Sequence, residues 1–377
     1  LAQTYSLIVE TLTSVNQTID PETQKTILQM QSNGSEAIAK AVALAPGDVD
    51  VLDEQVKLLI QNKAAPEQVG KAIDQLIAVQ PDDMTNYLTA GEYYYADVNR
   101  YADAASYLTE GLAHPTSGGG IVPFENDATR QRINQLLVDV YLNLADTVPV
   151  GSTQRSEYID KANDALSWVR GRQPNLPWVY VNTGRLEAID GQYDLALEQL
   201  KNAESLLSPT NAEEADLWVL DKRLQSQIYA SRGQIGTAMS ELDDIIFYFS
   251  NLSDVLLSKA NLELNENPKD ALAIAENVLT QHPGDQQALE IKAQALALLG
   301  RIDDLQKFLD STGTPTLSLA LLKTRLDLFN QNPSAAWQTI KPWVQQFPSD
   351  PRVVTPAYAA LAGIKDRTDA LQLIARA

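Results

Sequence analysis

In 377 residues, 49 acidic side chains outnumber 29 basic ones, and the formal charge of -20 repels a phosphate backbone, which excludes nucleic acid as a partner. The absence of cysteine excludes disulfides, iron-sulfur clusters and a thiol nucleophile, and it is compatible with an oxidising compartment as well as with the cytosol. Hydrophobic content of 44% is ample for a folded protein, yet no apolar run approaches the roughly 20 residues that a membrane-spanning helix needs.

The chain opens inside "LAQTYSLIVETLTSV", where Tyr5, Ile8, Leu12 and Val15 recur at helical spacing. A start within a periodic segment reads as a processed piece of something longer, with any signal or anchor upstream. "GDVDVLDE" imitates a calcium loop through Asp48, Asp50 and Asp53, but it lacks the glycine at loop position six and the glutamate at position twelve. Helix capping explains it better. "LTAGEYYYADVNRYADAASYLTEGLAHP" then sets Gly91, Ala104 and Gly111 as small residues and Tyr94 and Tyr101 as aromatic ones along two helical runs, with one extra residue in the turn. "TSGGGIVPFEN" follows; no Gly-Lys-Ser/Thr comes after Gly118, Gly119 and Gly120, so a phosphate loop is not indicated. The reading is a loop insertion near 116–126, with Ile121, Val122 and Phe124 packing back over a neighbouring helix, and a second loop near 147–155 from "DTVPVGSTQ".

Further along, "GRLEAIDGQYDLALEQLKNAESLLSP" places Gly184 and Ala196 where two antiparallel helices cross, Gly191 in the turn, Tyr193 at the start of the second helix, Ala203 two turns after Ala196, and Pro209 at the stop. Looser copies follow. "LQSQIYASRGQIGTAMSELDDII" keeps Tyr229, Gly233 and Ala238, and "AQALALLGRIDDLQKFL" keeps Gly300 with Leu305 in place of alanine. "NPKDALAIAENVL" and "NPSAAWQTIKPWV" read as second helices opened by Pro268 and Pro333. Prolines at 46, 81, 115, 174, 283 and 348 close successive helical runs, the first two steps being 35 and 34 residues. "DALQLIARA" ends the chain without a polar capping helix, so further protein or a partner is expected there.

Chemistry is sparse. The two histidines, His114 and His282, both precede a helix-ending proline, which marks them as helix C-terminal residues rather than acid-base or metal groups. With no His/Cys cluster, neither a metal nor a cofactor is expected. Carboxylate pairs such as Asp243 with Asp244 and Asp303 with Asp304 read as solvated helix faces, and no catalytic constellation emerges.

The recurring pattern resembles the tetratricopeptide repeat, a 34-residue helix-turn-helix unit. Eight or nine copies cover nearly the whole chain. The resemblance implies an all-α fold, a right-handed superhelical solenoid of antiparallel helix pairs, treated as a single array from 1 to 377. In that family the first helix of each pair lines a concave groove. Carried over residue by residue, the groove positions are Leu88, Glu92 and Tyr95 in the second repeat, Arg132 and Gln135 in the third, Trp178, Val181 and Arg185 in the fourth, and Arg223 and Gln227 in the fifth. Arginine there suits a ligand carboxylate, and the aromatics offer apolar contact. The competing reading is that these arginines balance nearby acids such as Glu187 and Asp221. The family's carboxylate clamp for chaperone C-termini needs lysine and asparagine at set positions, and that pattern is not met.

Three function classes follow. The resemblance favours a non-enzymatic scaffold binding a protein or peptide in its groove. The alternative is a structural or self-associating element of a larger complex, in the envelope or in secretion, and an enzyme is the third. Composition, with no cysteine and many polar uncharged residues, favours a bacterial extracytoplasmic placement over a cytoplasmic one.

Overall fold

The computed structural model describes residues 21–114 and 124–364 together with the single positions 4 and 368, residues 124–127 as backbone only. Among the described residues there are 18 α-helices and no strand. The chain divides into two compact units, Leu1–Asp190 and Gly191–Ala377.

The first unit contains α1 (Pro21–Leu44), α2 (Val49–Gln61), α3 (Pro66–Val79), α4 (Met84–Glu92), α5 (Tyr101–Ala113), α6 (Phe124–Asp146), α7 (Thr153–Arg170) and α8 (Pro177–Ile189). Helices α2 and α3, α4 and α5, and α6 and α7 form packed pairs, each pair lies on the next, and α4 also packs on α6. The crossings are set by small residues. A Cβ on Gly111 would lie 2.6 Å from Tyr87 Cβ, one on Gly91 would overlap the Leu108 side chain, and Ala104 is fully buried. These are the positions at which the sequence predicts close approach. The extra turn residue is absorbed as one π-helical turn, Tyr93–Asp97, after which Asn99 adopts a left-handed φ of 56°.

The second unit contains α9 (Tyr193–Glu204), α10 (Ala215–Ser231), α11 (Ile235–Tyr248), α12 (Ser253–Glu263), α13 (Pro268–Gln281), α14 (Gln286–Leu298), α15 (Ile302–Thr312), α16 (Leu317–Phe329), α17 (Pro333–Gln346) and α18 (Pro351–Gly363). Successive helices pack on one another, and the first helices α12, α14, α16 and α18 also stack in sequence. Gly233 and Gly300 turn the chain between paired helices with φ of 74° and 67°, Gly191 has a left-handed φ of 75°, and Pro268 and Pro333 open second helices as expected. Ala196, Ala203 and Ala238 are fully buried.

One device recurs through both units. After Pro46, Pro81, Pro283 and Pro348, the aspartate two residues on (Asp48, Asp83, Asp285 and Asp350) accepts a backbone N–H from the start of the next first helix. Proline stops one helix and aspartate starts another. The calcium-like Asp48 is thus an N-cap, bound to Val51 N at 3.2 Å. His114 and His282 are the C-caps of α5 and α13, as their place before proline suggests.

Of the expected insertion near 116–126, residues 115–123 lie outside the described residues, as do nearly all of the two ends, 1–20 and 365–377. The second loop spans only Thr147 to Ser152, where Ser152 caps α7. No helix among the described residues is long and apolar enough to cross a membrane.

Candidate functional site

In the first unit Glu92 of α4, Arg132 of α6 and Arg185 of α8, with Tyr95 in the π-helical turn, form one polar strip. Arg132 Nε donates to Glu92 Oε1 at 3.2 Å, and Arg185 Nη1 donates to Asp139 Oδ1 at 2.8 Å. Asn143 Nδ2 donates to the Asp139 carbonyl at 2.8 Å and to Tyr95 Oη at 3.5 Å, which ties the aromatic to the same network. Burial raises the Asp139 carboxyl above the usual carboxylate range, against the pull of Arg185 and Arg132. Burial raises the Tyr95 phenol as well, reinforced by the neighbouring Asp139 charge.

Exposure separates the two arginines. Arg132 keeps 57% of its side-chain surface and Arg185 only 19%. Leu88 and Trp178 lie half-buried against the core of this unit, and Gln135 on α6 is also half-buried. Val181 is corrected here: it is completely buried and offers nothing to a ligand. Helix α8 buries Val179, Val181, Asn182, Gly184 and Leu186, so its apolar residues occupy more than one face, and a single-face template misplaces Val181.

The second unit holds the remaining two positions. Arg223 Nη1 donates to Asp254 Oδ2 at 2.6 Å, and Gln227 is exposed. The arginines do have acidic partners within the chain, but these are Glu92, Asp139 and Asp254. Asp221, expected beside an arginine, is fully buried and accepts from Gln225 Nε2 at 2.8 Å.

Sequence reading missed a charged cluster of one lysine and three carboxylates. Lys222 Nζ on α10 lies 2.7 Å from Glu204 on α9 and 2.8 and 3.1 Å from Glu241 and Asp244 on α11. Asp243, adjacent to Asp244, turns the other way to Lys259 on α12 at 2.6 Å. The two residues serve different neighbours instead of forming a solvated pair. Lys292 with Glu276 and Lys323 with Asp310 repeat the link from a first helix back to the preceding second helix. Among the described residues, no group of three or more acidic or histidine side chains is gathered as a metal ion would require.

No family model matches the chain, and no curated protein matches it. Solved structures do. A tetratricopeptide repeat protein from Parabacteroides merdae is similar at 13% identity over 74% of this chain and 99% of its own, with a TM-score of 0.46. Yeast Tom70 is similar at 11% identity over 98% of both chains, TM-score 0.45. PilF of Pseudomonas aeruginosa is similar at 12% identity over 72% of this chain and 94% of its own, TM-score 0.36. With its own helix pairs crossing at small residues and turning on left-handed ones, the chain is an all-α repeat protein similar to the tetratricopeptide-repeat proteins.

Proposed function

We propose that the chain is a non-enzymatic scaffold that holds a peptide or a partner subunit against the faces of its first helices. The observation that carries this reading is the state of Arg132. Glu92 grips it through Nε alone, while more than half of the side chain stays exposed, so the outer fork of the guanidinium is oriented and still offered to a ligand carboxylate. Half-buried Tyr95 supplies an aromatic edge in the same strip. Exposed pairs of this kind contribute only about 0–1 kcal/mol to folding, so their use on a binding face costs little stability. The composition, rich in polar uncharged residues and without cysteine, supports a bacterial extracytoplasmic setting for this scaffold.

The test is a pull-down from the source organism with the full wild-type chain and with the Arg132→Ala, Arg185→Ala, Arg223→Ala triple variant side by side. Loss of specific captured proteins, weakened further by added salt, is the expected result. An unchanged set of captured proteins overturns the reading.

A structural, self-associating role is favoured by one observation. Phe247 is 80% exposed and meets the exposed Tyr248 edge-to-face at the end of α11. Concentration-dependent sedimentation that a Phe247→Ser variant abolishes would move the assignment to that role.

A further inference from the structure

The turns that lead from α12 to α13 and from α16 to α17 are built on one sequence pattern. "KANLELNENP" (259–268) and "KTRLDLFNQNP" (323–333) share a lysine, an acid four residues on, a leucine on each side of that acid, and the Asn-Pro that opens the next helix. Glu263 is the last residue of α12, and Asp327 lies near the end of α16. Their carbonyls accept the first backbone bonds of the next helices, from Asn267 N at 2.7 Å and from Asn332 N at 2.8 Å.

Both acids are buried, 7% and 4% exposed, and among the described residues Glu263 Oε2 and Asp327 Oδ2 have no hydrogen-bond partner. Their lysines are held elsewhere. Lys259 Nζ donates to Asp243 on α11 at 2.6 Å and stands 3.9 Å from Glu263; Lys323 Nζ donates to Asp310 on α15 at 2.5 Å and stands 3.8 Å from Asp327. Asp270 on α13 also faces Glu263, and Thr339 on α17 hydrogen-bonds Asp327. One lysine thus meets three acids at the first turn and two at the second. Ionising the buried acid leaves negative charge in excess at the C-terminal end of a helix, where the helix dipole opposes it. Burial raises both carboxyls above the usual carboxylate range, against the pull of the lysines.

Helix α14 shows that packing requires no acid there. It keeps the lysine, Lys292 on Glu276 at 2.9 Å, but carries Leu296 four residues later, 2% exposed and part of the core.

We propose that the α12–α13 and α16–α17 turns are pH-released joints, held shut while Glu263 and Asp327 are protonated and opening locally when they ionise. Opening lets each carboxylate reach water by giving up the backbone bonds to Asn267 and Asn332, and it frees the starts of α13 and α17 from the first helices before them. The closed joint keeps a proton that the open joint releases. Closure is therefore fullest below the ordinary carboxylate pKa of about 4 and is lost as pH rises through the raised value. The joints lie in the second unit and stand whether or not the strip of the first unit binds a partner.

Hydrogen-deuterium exchange of the full chain tests this, read by mass spectrometry at steps from about pH 4 to about pH 8 and corrected for the intrinsic exchange rate at each step. The α14–α15 turn around Gly300, which follows Leu296, is the internal control, so a pH effect shared by the whole unit cancels. Protection of residues 264–268 and 328–333 should fall about fivefold or more relative to that control as pH rises, the least effect expected of a buried polar group left unsatisfied. Glu263→Gln should remove the loss at the first turn only, and Asp327→Asn at the second only. Glu263→Leu, which copies the arrangement of α14, should act as Glu263→Gln does, and circular dichroism checks that the variants stay helical. An equal pH response at all three turns, or a loss that persists in folded Glu263→Gln or Glu263→Leu, would overturn the proposal.

Discussion

Lys222 Nζ sits 2.7 Å from Glu204 Oε1 with only 6% of the lysine side chain exposed, and it bridges helices on both sides of α10. A cation so placed is stable because three carboxylates surround its ammonium, with the Trp218 ring 5.8 Å away; the carboxylate hydrogen bonds outweigh burial and hold its pKa high. Removing it leaves those carboxylates facing one another without a counter-charge. Lys222→Met should therefore cost about 3–5 kcal/mol in urea unfolding, as breaking a buried ion pair does. Asp244→Asn should cost less than about 1 kcal/mol, because Asp244 is half-exposed and the other two acids remain. Equal losses for the two variants would show that the cluster is not organised around the lysine.

Asp221, next in sequence, gives the cluster a pH dependence. Burial pushes its carboxyl up to about 7; the Gln225 hydrogen bond and the Lys222 charge oppose this, while the Glu204 and Glu241 charges add to it. The folded state thus holds a proton that the unfolded state has released, so stability is fullest below the ordinary aspartate pKa of about 4 and is lost as pH rises through 7. Asp221→Asn removes the titration. The variant should gain on wild type between pH 5 and pH 8, by on the order of 2 kcal/mol, read from thermal or urea unfolding at each pH. Glu204 works in a separate window. Burial acts to raise it, but the hydrogen bonds and charge of Lys222 prevail and lower it, so its contribution is lost only in acid. A parallel pair of stability curves for wild type and Asp221→Asn would refute the assignment.

Small residues at the crossings provide the third prediction. The Cβ of alanine at Gly111 would sit 2.6 Å from Tyr87 Cβ, and Tyr87 cannot easily retreat, because its hydroxyl is bound to the Pro81 carbonyl at 3.0 Å and to His114 Nε2 at 2.9 Å. Gly111→Ala should lower stability by about 1–3 kcal/mol through overpacking. Gly47 has nothing within 4 Å of its ideal Cβ, so Gly47→Ala is the control and should change stability little. Similar melting temperatures for the two variants would mean that α4 and α5 do not meet as described.

These three cases also show which parts of the molecule the sequence discloses. Gly91, Ala104, Gly111 and Ala196 are legible because backbone proximity tolerates few residue types, and the constraint recurs at nearly fixed spacing. The aspartate two residues after Pro46, Pro81, Pro283 and Pro348 is legible for the same reason, although only Asp48 stands out beforehand. Lys222 is not legible: its partners lie 18 to 22 residues away on other helices, and which surface acid a lysine reaches depends on packing rather than on a local pattern. Val181 fails differently. Its position on a groove template is right for a helix with one apolar stripe, but α8 is buried on more than one face. Arg325 occupies the same kind of position as Arg185, six residues before the turn residue, yet only the structure shows that Arg185 is paired and that Arg325 has no acidic partner among the described residues.

The last prediction separates folding from binding within the candidate strip. Arg132→Ala removes a mostly exposed charge whose partner Glu92 is itself open to water, so the stability change should stay within about 0.5 kcal/mol. Arg185→Ala strands Asp139, whose carboxyl burial already pushes up, and the cost should be about 1–3 kcal/mol. The sign with pH follows from that carboxylate. Without Arg185 the folded state favours protonated Asp139 still more strongly, so the variant should lose most relative to wild type at pH 8 and least at pH 5. Unfolding of both variants at the two pH values checks this. A pH-independent loss in Arg185→Ala would point to lost packing of the arginine stem instead of an uncompensated charge. It would also make Arg132→Ala, rather than the triple variant, the substitution with which to judge partner binding.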